Sequence, residues 1–224
     1  MKTLAAIFLA LFIFSGTASA MDFAELENLY NQTTFMLWTD TEGSEGRPAC
    51  YGFYWKPQTR TPYGLVIRSL YLSAGHCVVA PTIRHGQWDY QDPFIKFVIF
   101  KKNELPDMLF GEMTDMRYNA AYFGEFSGEP SPDGVFYTNR HAPEWGKKLE
   151  LQKLKFLEQD KDGFWIFESE NPLAPGMSGS PVISQNGELA GILTAVGANN
   201  NRLAYVMPIR DVVKILKDNN LPSP

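Results

Sequence analysis

The sequence has few cysteines, no strong charge bias, and no pattern typical of nucleic-acid or metal binding. Its 224 residues include two Cys and three His, and none is spaced like a set of zinc ligands. The formal net charge is −5 and no Lys/Arg stripe is present, which argues against nucleic acid as a partner. The segment Asp160-Lys161-Asp162-Gly163 lacks the remaining ligands of a calcium loop. We therefore expect no metal and no cofactor.

Long apolar segments are also scarce, and the one such run lies near the N-terminus. It extends from Leu4 to Phe14, follows the positive charge of Lys2, and is too short to span a bilayer. The small residues Gly16-Thr17-Ala18-Ser19-Ala20 end in the A-x-A pattern of a cleavage site. We predict that residues 1–20 are a signal peptide cleaved after Ala20. The mature protein is then secreted or periplasmic and has no membrane contact.

The rest of the chain favours β-structure. Five Trp, ten Tyr and sixteen Phe give it an aromatic content that suits strands. Short apolar or alternating segments recur between turn signals, and these are the strand candidates: Phe35–Trp38, Ala49–Tyr54, Tyr63–Leu72, Phe94–Phe100, Asn119–Phe126, Val135–Thr138, Lys148–Phe156, Phe164–Ser169, Val182–Gln185, Leu189–Val196 and Leu203–Met207. Asn186-Gly187 predicts a tight hairpin between two of them, because both turn positions of such a hairpin need a positive φ.

A helix is predicted at each end of this β-rich region. Asp22-Phe23-Ala24-Glu25 has the pattern of a capping box and would open a short helix that extends to about Tyr30. Asn31-Gln32-Thr33, which follows, fits a glycosylation sequon. Near the C-terminus, residues spaced i, i+3, i+4 and i+7 form one apolar helix face: Ile209, Val212, Val213 and Leu216. Many short strands with terminal helices predict an all-β sandwich or barrel, and alternation alone does not separate the two.

Most of the chemical information lies in Gly176-Met177-Ser178-Gly179-Ser180-Pro181. The first glycine lets the backbone turn sharply, so that the N–H groups of Gly176 and Ser178 point to one place. The glycine after the serine leaves room for a substrate carbonyl. A histidine, His76, ends an apolar strand in Ser73-Ala74-Gly75-His76-Cys77, 102 positions before Ser178. This pair indicates a serine nucleophile that is activated by a histidine base.

Both segments resemble the signature segments of the chymotrypsin-like (trypsin-fold) serine peptidases. S-A-G-H-C is close to the family's T-A-A-H-C, and G-M-S-G-S-P is close to its G-[D/N]-S-G-[G/S]-P. Gly187–Val196 resembles the G-E-L-I-G-I-N-T-A strand of the HtrA-like bacterial peptidase domains, and Leu203–Pro208 resembles the G-F-A-I-P step before their last helix. The resemblance implies two packed antiparallel β-barrels with a short N-terminal and a C-terminal helix. Residues 21–224 would form them, with the boundary at about residues 125–135.

The resemblance also implies a mechanism. Ser178 would form an acyl-enzyme, His76 would act as general base, and the N–H groups of Gly176 and Ser178 would form the oxyanion hole. It pairs Cys50 with Cys77 in a disulfide, which export makes chemically reasonable. The predicted function is a secreted serine endopeptidase, a hydrolase that acts on protein or peptide substrates.

The third catalytic position departs from the family pattern. The family's orienting aspartate opens a strand of the form D-h-A-h-h, and the matching stretch here begins with Asn119. We assign the role first to Asn119, then to Asp107, which opens the apolar stretch Asp107–Phe110, and then to Asp115. An amide carries no charge to stabilise the imidazolium, and an Asp-to-Asn change lowers kcat by about 10⁴ in a comparable site. The alternative prediction is therefore a trypsin-fold pseudo-peptidase that binds proteins.

Three further positions bear on processing, specificity and assembly. Met177 precedes Ser178 and cannot form the ion pair that activates trypsin-like zymogens, so we expect no activation of that kind. Pro172 lies six positions before Ser178, where an acid would select basic side chains. We therefore expect a preference for small or medium apolar side chains. The chain ends at Pro224, which leaves no room for a PDZ domain, so we expect a monomer.

Overall fold

A computed structural model describes most of the chain between Ala20 and Leu221. The described residues are 20–39, 47–60, 62, 65–77, 82–85, 88–90, 96–99, 107–118, 121–144 and 146–221. The apolar run of the predicted signal peptide and Asn119 lie outside them. No helix within these ranges is long and apolar enough to cross a membrane.

The first half of the chain forms a helix and a seven-stranded antiparallel sheet. In chain order its elements are α1 (Phe23–Thr33), β1 (Thr34–Thr39), β2 (Arg47–Arg60), β3 (Leu65–Ser73), β4 (Thr82–His85), β5 (Trp88–Tyr90), β6 (Lys96–Ile99) and β7 (Leu109–Tyr118). The strands lie in the order β5-β4-β1-β2-β3-β7-β6. A single 3-10 turn, Gly75–Cys77, follows β3.

The central strands of this sheet bury both of their faces. Phe53 on β2 lies opposite Leu72 on β3, and Tyr54 lies opposite Tyr71. Successive side chains of a strand point to opposite faces, so Phe53 and Leu72 pack into one core cluster while Tyr54 and Tyr71 pack with Phe35 into another. Apolar residues on both faces explain why these segments read as continuous apolar runs rather than as alternating ones.

The second half closes into a barrel. Its elements are β8 (Gly124–Glu125), β9 (Val135–Asn139), β10 (Leu151–Gln159), β11 (Trp165–Ser169), β12 (Pro181–Ser184), β13 (Glu188–Val196), β14 (Leu203–Pro208) and α2 (Ile209–Asp218). Six strands lie in the order β12-β9-β10-β11-β14-β13, and pairing of β12 with β13 closes the ring. The short strand β8 adds to the outside of β13 in parallel.

One apolar core joins the two halves. It contains Leu26 of α1, Leu72 of β3 and Ile192 of β13, together with Val212 and Leu216 of α2. The four residues predicted to form the apolar face of the last helix all pack here, with Val213 only partly buried. The prediction of a mostly β fold with two β units and a helix at each end is therefore confirmed. The described part of the first unit is a sheet, and the second unit is a closed barrel.

Some local predictions were wrong. Of the predicted strand Asn119–Phe126, only Gly124–Glu125 is strand among the described residues. Helix α1 begins after Asp22 as predicted, but the Asp22 side chain makes no capping hydrogen bond, so the capping box is not formed. The hairpin between β12 and β13 is present. Only its glycine, Gly187, has a positive φ, so the turn lacks the two positive φ values expected from Asn186-Gly187.

Candidate active site

A carboxylate holds His76 at two points. His76 lies in the 3-10 turn after β3, and Asp107 lies just before β7, the neighbouring strand, whose Leu109 pairs with Ser73. Asp107 Oδ2 is 2.5 Å from His76 Nδ1, and the backbone N–H of His76 donates to Asp107 Oδ1 at 2.7 Å. The side chain of Asp107 is 15% exposed and that of His76 is 41% exposed. A half-exposed imidazole is therefore oriented by a largely buried carboxylate.

Gly75 makes this close approach sterically feasible. A Cβ atom at Gly75 would lie 2.8 Å from Asp107 Oδ1 and 2.9 Å from the backbone nitrogen of Met108. Side chains essentially never approach so closely, so a larger residue would displace the carboxylate. Gly75, which stands in S-A-G-H-C where the family motif has alanine, therefore leaves the space that the Asp107 carboxylate occupies.

The predicted disulfide is confirmed. Cys50 on β2 is bonded to Cys77, which directly follows His76, and their Cα atoms are 5.8 Å apart. The ligand atoms of Cys50, His76 and Cys77 lie within 4.8 Å of one another. Both sulfur atoms are already bonded in the disulfide, so neither is a thiolate that could bind a metal. The bridge instead ties the turn that carries His76 to β2.

Two glycines with left-handed backbone shape the loop around Ser178. Gly176 has φ of 90° and Gly179 has φ of 82°, values that other residues rarely adopt. The backbone N–H of Gly179 donates to the Leu193 carbonyl at 2.7 Å, which ties the loop to β13. Within the described part of the chain, the N–H groups of Gly176 and Ser178 donate no hydrogen bond. Two backbone donors are thus left free beside the serine.

The loop packs against the end of the first sheet. The Tyr51 N–H donates to the Ser178 carbonyl at 2.9 Å, and the Ser73 hydroxyl donates to the Tyr51 carbonyl at 2.6 Å. A Cβ atom at Gly179 would lie less than 3.0 Å from both Tyr51 O and Ser73 Oγ. Since His76 follows Ser73 by three residues, these contacts bring the histidine and serine segments together at the junction of the two halves.

The serine hydroxyl contacts a backbone carbonyl of β13. Ser178 Oγ donates to the Thr194 carbonyl at 3.5 Å, which is long for a hydrogen bond. Between His76 and Ser178, both of them described residues, there is no hydrogen bond. Met177, which precedes the serine, is buried in the barrel core beside Trp165 and Val182, so no charge lies at that position.

Asp107 is the candidate partner whose contact with His76 the structure describes. Asn119, the first choice, lies outside the described residues, whereas the second choice, Asp107, occupies Nδ1 of the imidazole. Asp115 lies within strand β7. A local signal for Asp107 was present, because an aspartate followed by apolar residues opens this stretch too. The other described histidine side chain, His141, contacts Glu150 at 3.2 Å on an exposed part of the barrel.

Solved serine proteases have the same fold. The active form of the Rv3671c protease from M. tuberculosis superposes with a TM-score of 0.63 at 13% identity, covering 89% of this chain and 86% of that one. For the HtrA-type protease AlgW with a decapeptide, the TM-score is 0.63 at 12% identity, with coverage of 88% and 67%. The serine endoprotease from Yersinia pestis gives 0.61 at 11% identity, with coverage of 88% and 66%.

At the level of sequence, no protein-family model and no curated protein matches this chain. The structural similarity therefore defines the fold, which is that of the trypsin-like serine proteases. Among the structures that share it are proteases of the HtrA type.

Proposed function

We propose that the protein is a serine endopeptidase that hydrolyses peptide bonds through an acyl-enzyme on Ser178. The observation that carries this proposal is the two-point contact between Asp107 and His76. A histidine whose ring and backbone are both held by one carboxylate has a defined orientation, which a general base requires. The disulfide partner Cys77 and the docked serine loop support the same assignment.

In the proposed mechanism, Asp107 also selects the tautomer of His76. With its Nδ1–H donating to the carboxylate, the imidazole keeps a lone pair on Nε2. That nitrogen accepts the proton of Ser178 as Oγ attacks the substrate carbonyl carbon. The carboxylate then stabilises the imidazolium that forms. This role, which we first assigned to Asn119, passes to Asp107.

The free backbone donors supply the oxyanion hole. The N–H groups of Gly176 and Ser178 would bind the negative oxygen of the tetrahedral intermediate, each donor contributing about 3–4 kcal/mol in comparable sites. His76 returns its proton to the leaving amine, and a water molecule then hydrolyses the ester on Ser178. In this mechanism the Ser178 hydroxyl leaves the Thr194 carbonyl and donates to Nε2 of His76 instead.

The proposed substrate is a protein or peptide. The neighbouring structure of AlgW contains a decapeptide, which supports a peptide as the ligand of this fold. We retain small or medium apolar side chains as the preferred residues before the cleaved bond, because Pro172 provides no counter-charge for a basic side chain. The predicted signal peptide supports action in the periplasm or the medium, and we propose a monomer.

One observation favours a second function. The Ser178 hydroxyl contacts Thr194 rather than His76, as expected of a trypsin-fold pseudo-peptidase that binds proteins without cleaving them. Such a protein would keep the free donors of Gly176 and Ser178 but would not activate the serine.

Reaction with a fluorophosphonate probe separates the two functions, because the probe reports activation of the nucleophile without requiring the natural substrate. We expect the wild type to gain one covalent adduct, located on Ser178 by peptide mass spectrometry, and Ser178→Ala to gain none. Ser131→Ala, which removes an exposed serine of the loop before β9, is the matched control and should react like the wild type. A folded wild type that does not react would support the pseudo-peptidase.

A further inference from the structure

Ser73 carries a buried hydroxyl that the proposed chemistry does not use. It is the last residue of β3, it is fully buried, and its Oγ donates to the Tyr51 carbonyl at 2.6 Å. Three residues later the chain reaches His76. We propose that Ser73 is a positioning residue that holds the nucleophile loop in register with the histidine, an inference that rests on the proposed peptidase function.

Tyr51 transmits the contact from Ser73 to the nucleophile. Its carbonyl accepts the Ser73 hydroxyl, and its own N–H donates to the Ser178 carbonyl at 2.9 Å. Both groups belong to one residue, and the Tyr51 phenol is anchored as well, through a hydrogen bond to the His141 carbonyl at 3.3 Å. A short chain of hydrogen bonds therefore leads from the strand before His76 to the backbone of the nucleophile.

The loop also packs directly on the hydroxyl. Gly179 has a positive φ of 82°, and a Cβ atom there would lie less than 3.0 Å from Ser73 Oγ. The absence of a side chain at Gly179 is what admits the hydroxyl. Ser73 thus contacts the loop at two levels, through Tyr51 to Ser178 and by direct packing against the next residue.

This arrangement sets the spacing of the reacting groups. The distance between the imidazole and Ser178 Oγ depends on how the segment after β3 lies against the loop after Pro175. Without the Ser73 hydroxyl, the buried Tyr51 carbonyl loses its donor, and the peptide that holds Ser178 is free to shift. A displacement of about 1 Å in reacting groups lowers a rate by about 10²-fold. Substrate affinity would change little, because Ser73 is fully buried.

A second serine of the same strand provides a matched control. Ser69 is also fully buried, lies on the same face of β3 as Ser73, and has its hydroxyl 2.9 Å from that of Tyr122. Ser69→Ala therefore removes an equivalent buried hydroxyl from β3 without touching the nucleophile loop. A purely structural role for Ser73 predicts equal effects of the two alanine substitutions.

The first test measures the rate of fluorophosphonate labelling together with kcat and KM for a peptide ester. We expect Ser73→Ala to lower the labelling rate and kcat by about 10–10²-fold with KM nearly unchanged, and Ser69→Ala to stay near the wild type. Ser73→Thr keeps the hydroxyl and should retain the rate, whereas its isostere Ser73→Val should not. This pair carries the test if Ser73→Ala does not fold. Equal rates for Thr and Val, or equal losses in both alanine variants, would overturn the inference.

The second test, hydrogen exchange of the Tyr51 amide, does not depend on catalysis. That N–H is the donor to the Ser178 carbonyl, so its protection reports the contact itself. We expect faster exchange in Ser73→Ala than in Ser69→Ala. If the wild type does not react with the probe but the exchange rates of the two variants differ, the peptidase function is rejected and the positioning role is kept. If the wild type reacts with the probe, but Ser73→Ala shows neither faster exchange than Ser69→Ala nor a loss of rate, the positioning role alone is rejected.

Discussion

The two halves of the molecule prepare the candidate site by different means. In the first half, side chains position His76, since Asp107 binds it at two points and the disulfide of Cys50 ties the same turn to β2. In the second half, backbone conformation defines the site, since two left-handed glycines shape the loop of Ser178 and the N–H groups of Gly176 and Ser178 donate to no described residue. The imidazole of His76 is thus held by a carboxylate, whereas the hydroxyl of Ser178 contacts the Thr194 carbonyl. Side-chain exchanges should therefore damage the first half most, whereas the second half should be sensitive to Cβ atoms added at its left-handed glycines.

The largest effect should follow loss of charge beside His76. Asp107→Asn removes the negative charge that stabilises the imidazolium and disturbs the tautomer, so we expect kcat to fall by about 10⁴. Asn119→Asp should leave the rate almost unchanged, because the Nδ1 position is already occupied by Asp107. Measuring kcat/KM for both variants checks the assignment. A large gain from Asn119→Asp, with little loss from Asp107→Asn, would return the role to Asn119.

The second prediction concerns the crowded glycine of the nucleophile loop. Gly163 and Gly179 both have positive φ, but a Cβ atom meets nothing within 4 Å at Gly163 and collides with Tyr51 and Ser73 at Gly179. Gly163→Ala should cost about 1–2 kcal/mol of folding free energy for the left-handed backbone. Gly179→Ala should cost about 2–3 kcal/mol more, because it also overpacks the junction. Urea unfolding measures both, and equal losses would contradict the packing described for Gly179.

The third prediction tests the covalent link in the first half. Replacing both Cys50 and Cys77 with serine should lower the free energy of unfolding by about 3–4 kcal/mol, the chain-entropy value for a loop of 27 residues. The turn that carries His76 would also lose its tie to β2, so the probe-labelling rate should fall more than it does in Gly163→Ala. A double variant as stable as the wild type would show that the bridge does not constrain the chain.

The smallest effect is absent at neutral pH and develops only in alkali. Burial raises the pKa of Tyr30, Tyr51 and Tyr71 well above their usual value. The folded state therefore holds protons that the unfolded state releases above about pH 10, so the contribution of these tyrosines to stability is constant below that pH and falls as the pH rises beyond it. Tyrosinate absorbance should appear together with unfolding. Gradual ionisation of all ten tyrosines without unfolding would contradict the burial of these three.

The sequence was sufficient for those parts of the site that lie within short motifs. The residues around Ser178, and the histidine followed by Cys77, are recognisable because neighbours in the chain create their geometry. The partner of His76 was harder to predict, because it depends on which strand pairs with β3. Strand β7 does, with Leu109 opposite Ser73, and that register places Asp107 beside the imidazole. Sequence spacing could not separate this arrangement from one that uses Asn119.

Parts of the fold escaped prediction for similar reasons. Strand β7, Leu109–Tyr118, continues well past its apolar start with glutamate, aspartate and arginine, so only its beginning had a strand pattern.

The sequon at Asn31 also could not be judged from the sequence, because its availability depends on contacts made in the fold. The Asn31 amide donates to the Glu27 carbonyl at 2.7 Å and to the Leu149 carbonyl at 3.0 Å. An amide committed in this way is not available to accept a glycan in the folded protein.

The most direct test of the Asp107–His76 pair is proton NMR of the imidazole Nδ1–H. A proton held in a short hydrogen bond to a carboxylate is strongly deshielded and exchanges slowly, so the signal requires neither substrate nor turnover. We predict that the signal is present in the wild type, persists in Ser178→Ala and in Asn119→Ala, and disappears in Asp107→Ala. A signal that survives Asp107→Ala and is lost in Asn119→Ala would contradict the account.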